Sequence, residues 1–211
     1  LAETCKIFSI PLIHISTDYV FDGKGNTPYT GQSKTEPLGV YGESKLAGEH
    51  YVLEALSSAV IIRTSWVFSE YGNNFVKTML KIGQSRNALN VVEDQFGKPT
   101  YARDLAKAIA RVIASLDSGE YSPRTEQDHI YHYSNEEQTN WAEFAQKIFQ
   151  QGLSRGLIPE AVTVSGIPGS DYPTKAARPA YSVLDNTKLY EQFNIKPKRW
   201  HEALAEMLDR Y

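Results

Sequence analysis

The chain has 211 residues, 41% of them hydrophobic and 22% charged, with a net charge of −3 and a single cysteine, Cys5. These figures suit a folded protein with a substantial core; they exclude an internal disulfide and offer no basic stripe for nucleic acid. No run approaches the ~18 apolar residues of a membrane span, and the N-terminus LAETCKIFSIPLIHIS lacks the marks of a signal peptide, so a cytoplasmic, reducing location is expected.

LIHIS (12–16) predicts a short buried strand of a parallel sheet. Residues 17–40 are rich in Gly, Pro, Asn, Thr and Asp and read as a long loop, and Tyr19, Val20, Phe21 and Tyr29 predict that it is packed and ordered. A helix follows over 42–57, then a second buried strand, AVIIRTSWVF (59–68), running into polar residues. Asn73 or Asn74 is placed to cap a helix over 74–84. LNVV (89–92) predicts a short strand, 103–116 an apolar helix and IYHYS (130–134) another strand, with Thr139 as cap of a helix over 141–151. Beyond about residue 150 the pattern weakens: 166–182 reads as loop, with short helices near 186–193 and 200–211. Strands alternating with helices predict a parallel α/β sheet. The change of texture near residues 85–90 divides it: 1–86 as half of a Rossmann-type, doubly wound sheet, 87–211 as a smaller α/β substrate-binding domain that in part returns to that sheet.

In an open parallel sheet, ligands sit beyond the carboxyl ends of the strands. Two predicted strands end in polar clusters, Ser16–Thr17–Asp18–Tyr19 and Thr64–Ser65–Trp66, and between them lies YGESK (41–45). Tyr41 and Lys45, at i and i+4, share a helix face. Hydride reduction of a carbonyl needs a proton donor at the nascent alkoxide. A tyrosine, with an ordinary pKa of about 10, becomes a good donor beside a cation, and a hydroxyl such as that of Thr17 can polarise the same oxygen. Taken alone, a Tyr-x-x-x-Lys pair is more often a surface coincidence.

The pair does not stand alone. STDYVFDG (16–23), PLGVYGESKLAGE (37–49), RTSWVF (63–68), DQFGKPT (94–100) and ARPAYSVLDN (177–186) follow in that order. Together they resemble the dTDP-4-dehydrorhamnose reductases of the extended short-chain dehydrogenase/reductase family, over nearly the whole chain. The resemblance implies a catalytic trio of Thr17, Tyr41 and Lys45. It further implies that Tyr41 and Lys45, with Ser16 and Thr64, border the nicotinamide ribose, and that Asp18, Tyr19 and Trp66 line the sugar pocket. Gln95 and Thr100 fall near the nucleotide, and Arg178 on the diphosphate. The residues by themselves leave plainer roles open: Trp66 as core, Asp18 as loop organiser, Gly97 as an ordinary turn, and Arg178 as a solvated charge.

The implied cofactor is NADPH, with NADH as an alternative, and the implied substrate is dTDP-4-dehydrorhamnose. A homodimer is the expected assembly, with neither nucleic acid nor membrane as partner. Some relatives place a magnesium ion between subunits, but nothing in this sequence supports one, and the five histidines show no metal-ligand spacing; His14, inside an apolar strand, reads as a core residue. The glycine-rich turn that would hold the cofactor pyrophosphate is not found, Gly23–Lys24–Gly25 being followed by Pro28 where the pattern needs glycine. The chain is therefore expected to start inside the Rossmann domain, leaving one side of the LIHIS strand unpaired and binding NADPH weakly by itself. Other readings are a sibling nucleotide-sugar reductase, epimerase or dehydratase, or a non-catalytic subunit resembling the regulatory subunit of methionine adenosyltransferase.

Overall fold

A computed structural model describes residues 1–121, 129–172, 174 and 176–211. Helix α1 (Ala2–Ile7) precedes strand β1 (Ile13–Thr17), and one turn of 3-10 helix, Asp18–Val20, follows at once. After the long loop come α2 (Val40–Ala55), β2 (Val60–Thr64), β3 (Val67–Phe68) and α3 (Phe75–Gly83). Next are β4 (Ala88–Val92), β5 (Phe96–Gly97), β6 (Thr100–Tyr101) and α4 (Ala102–Asp117). The chain then forms β7 (Ile130–His132), β8 (Thr139–Asn140), α5 (Trp141–Ser154), β9 (Thr163–Ile167), α6 (Thr187–Phe193) and α7 (Trp200–Leu208).

The fold is α/β, built on a parallel sheet in the order β1-β2-β7. β2 is central and every residue of it is buried, which is why VIIR reads as a continuous apolar run with one exception, Arg63. Its two faces differ in chemistry. Ile13, Ile15, Val60, Ile62, Tyr131 and Tyr133 face an apolar layer in which Leu105, Ala108 and Val112 of α4 pack with Leu189 and Phe193 of α6. The opposite row, Ser16–Arg63–His132, is polar and in register across the three strands. A second core joins α3, α5 and α7 around Leu80, Phe144, Ile148, Leu204 and Met207. β7, α4 and α6 thus pack with the first sheet although they follow residue 87 in the chain.

Three local expectations change. The second strand does not run through to residue 68: it stops at Thr64, Trp66 takes a left-handed φ of 47°, and the chain resumes as β3, paired with β6 rather than β1. The cap of α5 is Asn140, whose side-chain oxygen accepts from the Glu143 amide at 2.9 Å; Thr139 instead donates its hydroxyl to the Glu143 carboxylate. And β9, TVSGI, pairs in parallel with β4 inside a stretch read as featureless, because its partly exposed face carries too little apolar residue to show a period. Among the described residues no helix is long and apolar enough to cross a membrane.

The Asn140 assignment has a direct consequence: Asn140→Ala should lower stability by about 1 kcal/mol in urea denaturation, the usual worth of an N-cap. Thr139→Val, which leaves the cap in place, should lose clearly less.

Candidate active site

The polar ends of β1 and β2 lie side by side, Thr17 in register with Thr64. Thr17 is buried; its hydroxyl donates to Asp18 Oδ1 at 3.0 Å and accepts from the Tyr19 amide at 3.2 Å, capping the 3-10 turn. Asp18 is buried too, and its Oδ2 meets no donor in hydrogen-bond geometry among the described residues. Burial pushes its carboxyl up to about 6, although the Ser182 and Thr17 hydroxyls stand close enough to pull part of the way back. The Tyr19 phenol is also pushed up, by burial first and the Asp18 charge second, while Arg178 acts in the other direction. Arg178 is thereby brought electrostatically to the same crevice.

The helix expected at 42 begins at Val40, so Tyr41 sits in the first turn of α2. Its ring is 58% exposed and packs edge-on against Tyr19, centroids 5.7 Å apart. One turn on, Lys45 reaches across to β1 and donates to the Ile15 carbonyl at 2.6 Å. Gly42 allows this approach: a Cβ there would collide with the Tyr19 carbonyl. Thr17, Asp18, Tyr19, Tyr41 and Lys45 are therefore brought together as expected.

The other expected residues divide. Trp66 is half-buried and stacks on Trp141 at 3.6 Å and 11°, its indole resting on Gly97, where an added Cβ would stand 2.5 Å from the ring. Gly97 is thus no ordinary turn glycine but the floor under Trp66. Arg178 and Trp141 share with Phe75, Asn90 and Tyr172 the lining of a cleft of about 260 Å³. Gln95 is half-buried beside Gly169, whose amide donates to the neighbouring Asp94 carboxylate at 2.9 Å.

Thr100 stands apart from these. It is wholly buried, and Thr64 donates to its hydroxyl at 3.1 Å, so Thr100 offers nucleotide no surface and the Thr64 proton is already engaged. Ser16 is buried too, and strand alternation turns its side chain away from Thr17, to the α2 face of the sheet. Sequence reasoning passed over Trp141 and Phe75, and the signal that could have found them was their placement at the starts of α5 and α3.

The Asp18 environment sets a pH dependence of stability. Its folded carboxyl holds a proton more tightly than the 3.8 of an ordinary aspartate, so this group favours the fold most below about pH 4 and works against it as pH rises through about 6. Asp18→Asn removes the buried charge. The variant should exceed wild type at pH 8 by on the order of 3 kcal/mol in denaturant melts, with the gap closing toward pH 4.

Among the described residues no group of three or more His, Cys, Asp or Glu is arranged to hold a metal ion. The RmlD substrate binding domain family matches residues 1–211. A dTDP-4-dehydrorhamnose reductase from Aggregatibacter actinomycetemcomitans is 42% identical over 207 residues, 98% of this chain and 69% of that protein. The crystal structure of a dTDP-4-dehydrorhamnose reductase from Clostridium acetobutylicum superposes with a TM-score of 0.87 at 34% identity, covering 100% of this chain and 69% of that one. The Bacillus anthracis enzyme of the same name, solved in complex with NADP, gives a TM-score of 0.86 at 35% identity, with the same coverage. On the family match over residues 1–211 and the 42% identity to the Aggregatibacter actinomycetemcomitans reductase, the chain belongs to the RmlD family, that of the dTDP-4-dehydrorhamnose reductases.

Proposed function

We propose that this chain carries the catalytic crevice of an NADPH-dependent reductase that turns the C4 ketone of dTDP-4-dehydro-β-L-rhamnose into the alcohol of dTDP-L-rhamnose. The observation that carries the reading is the meeting of Thr17, at the end of β1, with Tyr41 and Lys45 on one face of α2.

The residues present fit the nicotinamide-ribose end of the cofactor. Lys45 uses one of its three N–H donors on Ile15 and keeps two for ribose hydroxyls, and the exposed Tyr41 hydroxyl lies one turn away. Bound NADPH supplies the hydride. Tyr41 donates the proton to the alkoxide oxygen at C4, and the Lys45 ammonium stabilises the phenolate left behind. Thr17 orients the carbonyl from the other side; its proton points to Asp18 in the free protein, so substrate must draw it away or meet a protonated Asp18. Asp18 and Tyr19 face the sugar, Trp66 lines its pocket, and Arg178 takes the diphosphate through its forked donors. Gln95 contributes at the nucleotide. Held this way, the reacting carbon is placed by both of its neighbours at once.

Tyr41→Phe keeps the ring and removes only the hydroxyl. Turnover, followed as loss of NADPH absorbance with the ketosugar nucleotide, should fall by on the order of 10²–10⁴ while substrate affinity stays near wild type. Activity within a few-fold of wild type removes Tyr41 from the role of acid. Oxidation of NADPH with a different ketosugar nucleotide only would point to a sibling enzyme.

A further inference from the structure

Two charged side chains outside the crevice take no part in this chemistry, yet they join its two halves. Glu49 lies on α2 eight residues after Tyr41 and four after Lys45, on the side of the helix that Lys45 presents to the sheet. It receives two hydrogen bonds from Arg63, Nε to Oε1 at 2.9 Å and Nη2 to Oε2 at 2.6 Å, with the side chains only 1% and 2% exposed. Arg63 belongs to the central strand, one residue before Thr64. Its guanidinium carbon also lies 5.1 Å from the centroid of Phe21, a buried ring four residues after Thr17. A single guanidinium therefore touches both the segment holding Thr17 and the helix holding Tyr41.

Stability does not account for such a pair. Replacing a buried ion pair by apolar residues of similar volume is often neutral or stabilising, because removing both charges from water is costly. What a planar, two-pronged contact does supply is orientation. α2 needs it: only Gly42 and Glu49 are fully buried along its length, and Leu46, packed on the small cluster of Val20, Phe21, Tyr29 and Leu184, is its main apolar anchor, so apolar packing leaves much of its rotation to be fixed by other contacts. The Lys45 contact with Ile15 is one bond from a swivelling amine. Glu49 lies about 12 Å along the helix axis from Tyr41 at roughly 1.5 Å per residue, so a change at Glu49 is felt at the hydroxyl.

We infer that the Glu49–Arg63 pair is a positioning device that sets the gap between Thr17 and Tyr41. It rests on the reading of Tyr41 as proton donor. The test is Glu49→Leu combined with Arg63→Met, assayed in the whole enzyme for Tm, for the KM of both substrates and for kcat. Expected are a Tm at or above wild type, KM values within about 3-fold, and a kcat lower by on the order of 10- to 100-fold, the scale of a misplaced reacting group. A merely structural pair would move Tm or folded yield and leave kcat per folded molecule alone. A kcat within about 2-fold of wild type overturns the inference.

Should the double variant fail to fold, Glu49→Asp decides by the same measure. It keeps the charge and shortens the arm by one methylene, so the helix must shift to restore the pair. A kcat-selective loss supports the device, and wild-type kcat overturns it. Tyr41→Phe, run alongside, separates the two possible failures. If that variant also turns over normally, the acid assignment falls and the positioning role with it. If it is slow while the pair variants are not, the positioning role alone falls.

Discussion

Helix α2 is fastened to the sheet by charge and hydrogen bonding as much as by the apolar contact of Leu46, and the arrangement of the crevice follows from that fastening. Glu49 clasps Arg63, Lys45 reaches the Ile15 carbonyl, and Gly42 lets the helix start come down onto Tyr19. A helix held by grease alone can slide or roll at small cost. One held also by a two-pronged ion pair, a lysine bond and a close glycine contact has a narrower choice of seat. Tyr41 is exposed, while Glu49, eight residues further along the same helix, is buried.

The polar row under α2 runs on past Arg63. His132, in register with it on β7, is wholly buried and driven down to about 3, first by loss of water and then by the Arg63 charge. A neutral His132 is the only form compatible with its neighbour, and its Nδ1 is within 2.9 Å of the Tyr29 carbonyl, so it serves as a donor there. Tyr29 in turn stacks on Phe21 at 4.2 Å, and its amide and carbonyl pair with Val183 and Asp185. The long loop is ordered because a segment more than 150 residues away in sequence clips it in place.

Much of this was legible along the chain. The apolar runs of β1 and β2, the Asn74 cap and the spacing of Tyr41 and Lys45 are local signals, and local signals survive the absence of a partner. The surroundings of Thr100 and Ser16 were not legible, for the opposite reason. Whether a hydroxyl faces a ligand or the interior depends on which side of a strand it falls and what the neighbouring element offers it. Thr64, four residues beyond a strand start and thirty-six from Thr100 in sequence, carries no mark of that partnership. β9 escaped notice because its pairing with β4 comes from main-chain hydrogen bonds, to which side-chain periodicity is blind.

Residue order alone was enough to establish the α/β class, the strand–helix alternation and the shared helix face of Tyr41 and Lys45, since each follows from periodicity or from spacing within one helix. Assembly in three dimensions settled the rest. It placed Trp66 on Gly97 and against Trp141, gave Asp18 a dry enough surrounding to lift its carboxyl, and joined Glu49 to Arg63 through the buried centre of the sheet. Contacts of this kind depend on the distance between elements and on the exclusion of water, quantities that come into being only when the sheet and its helices close on one another.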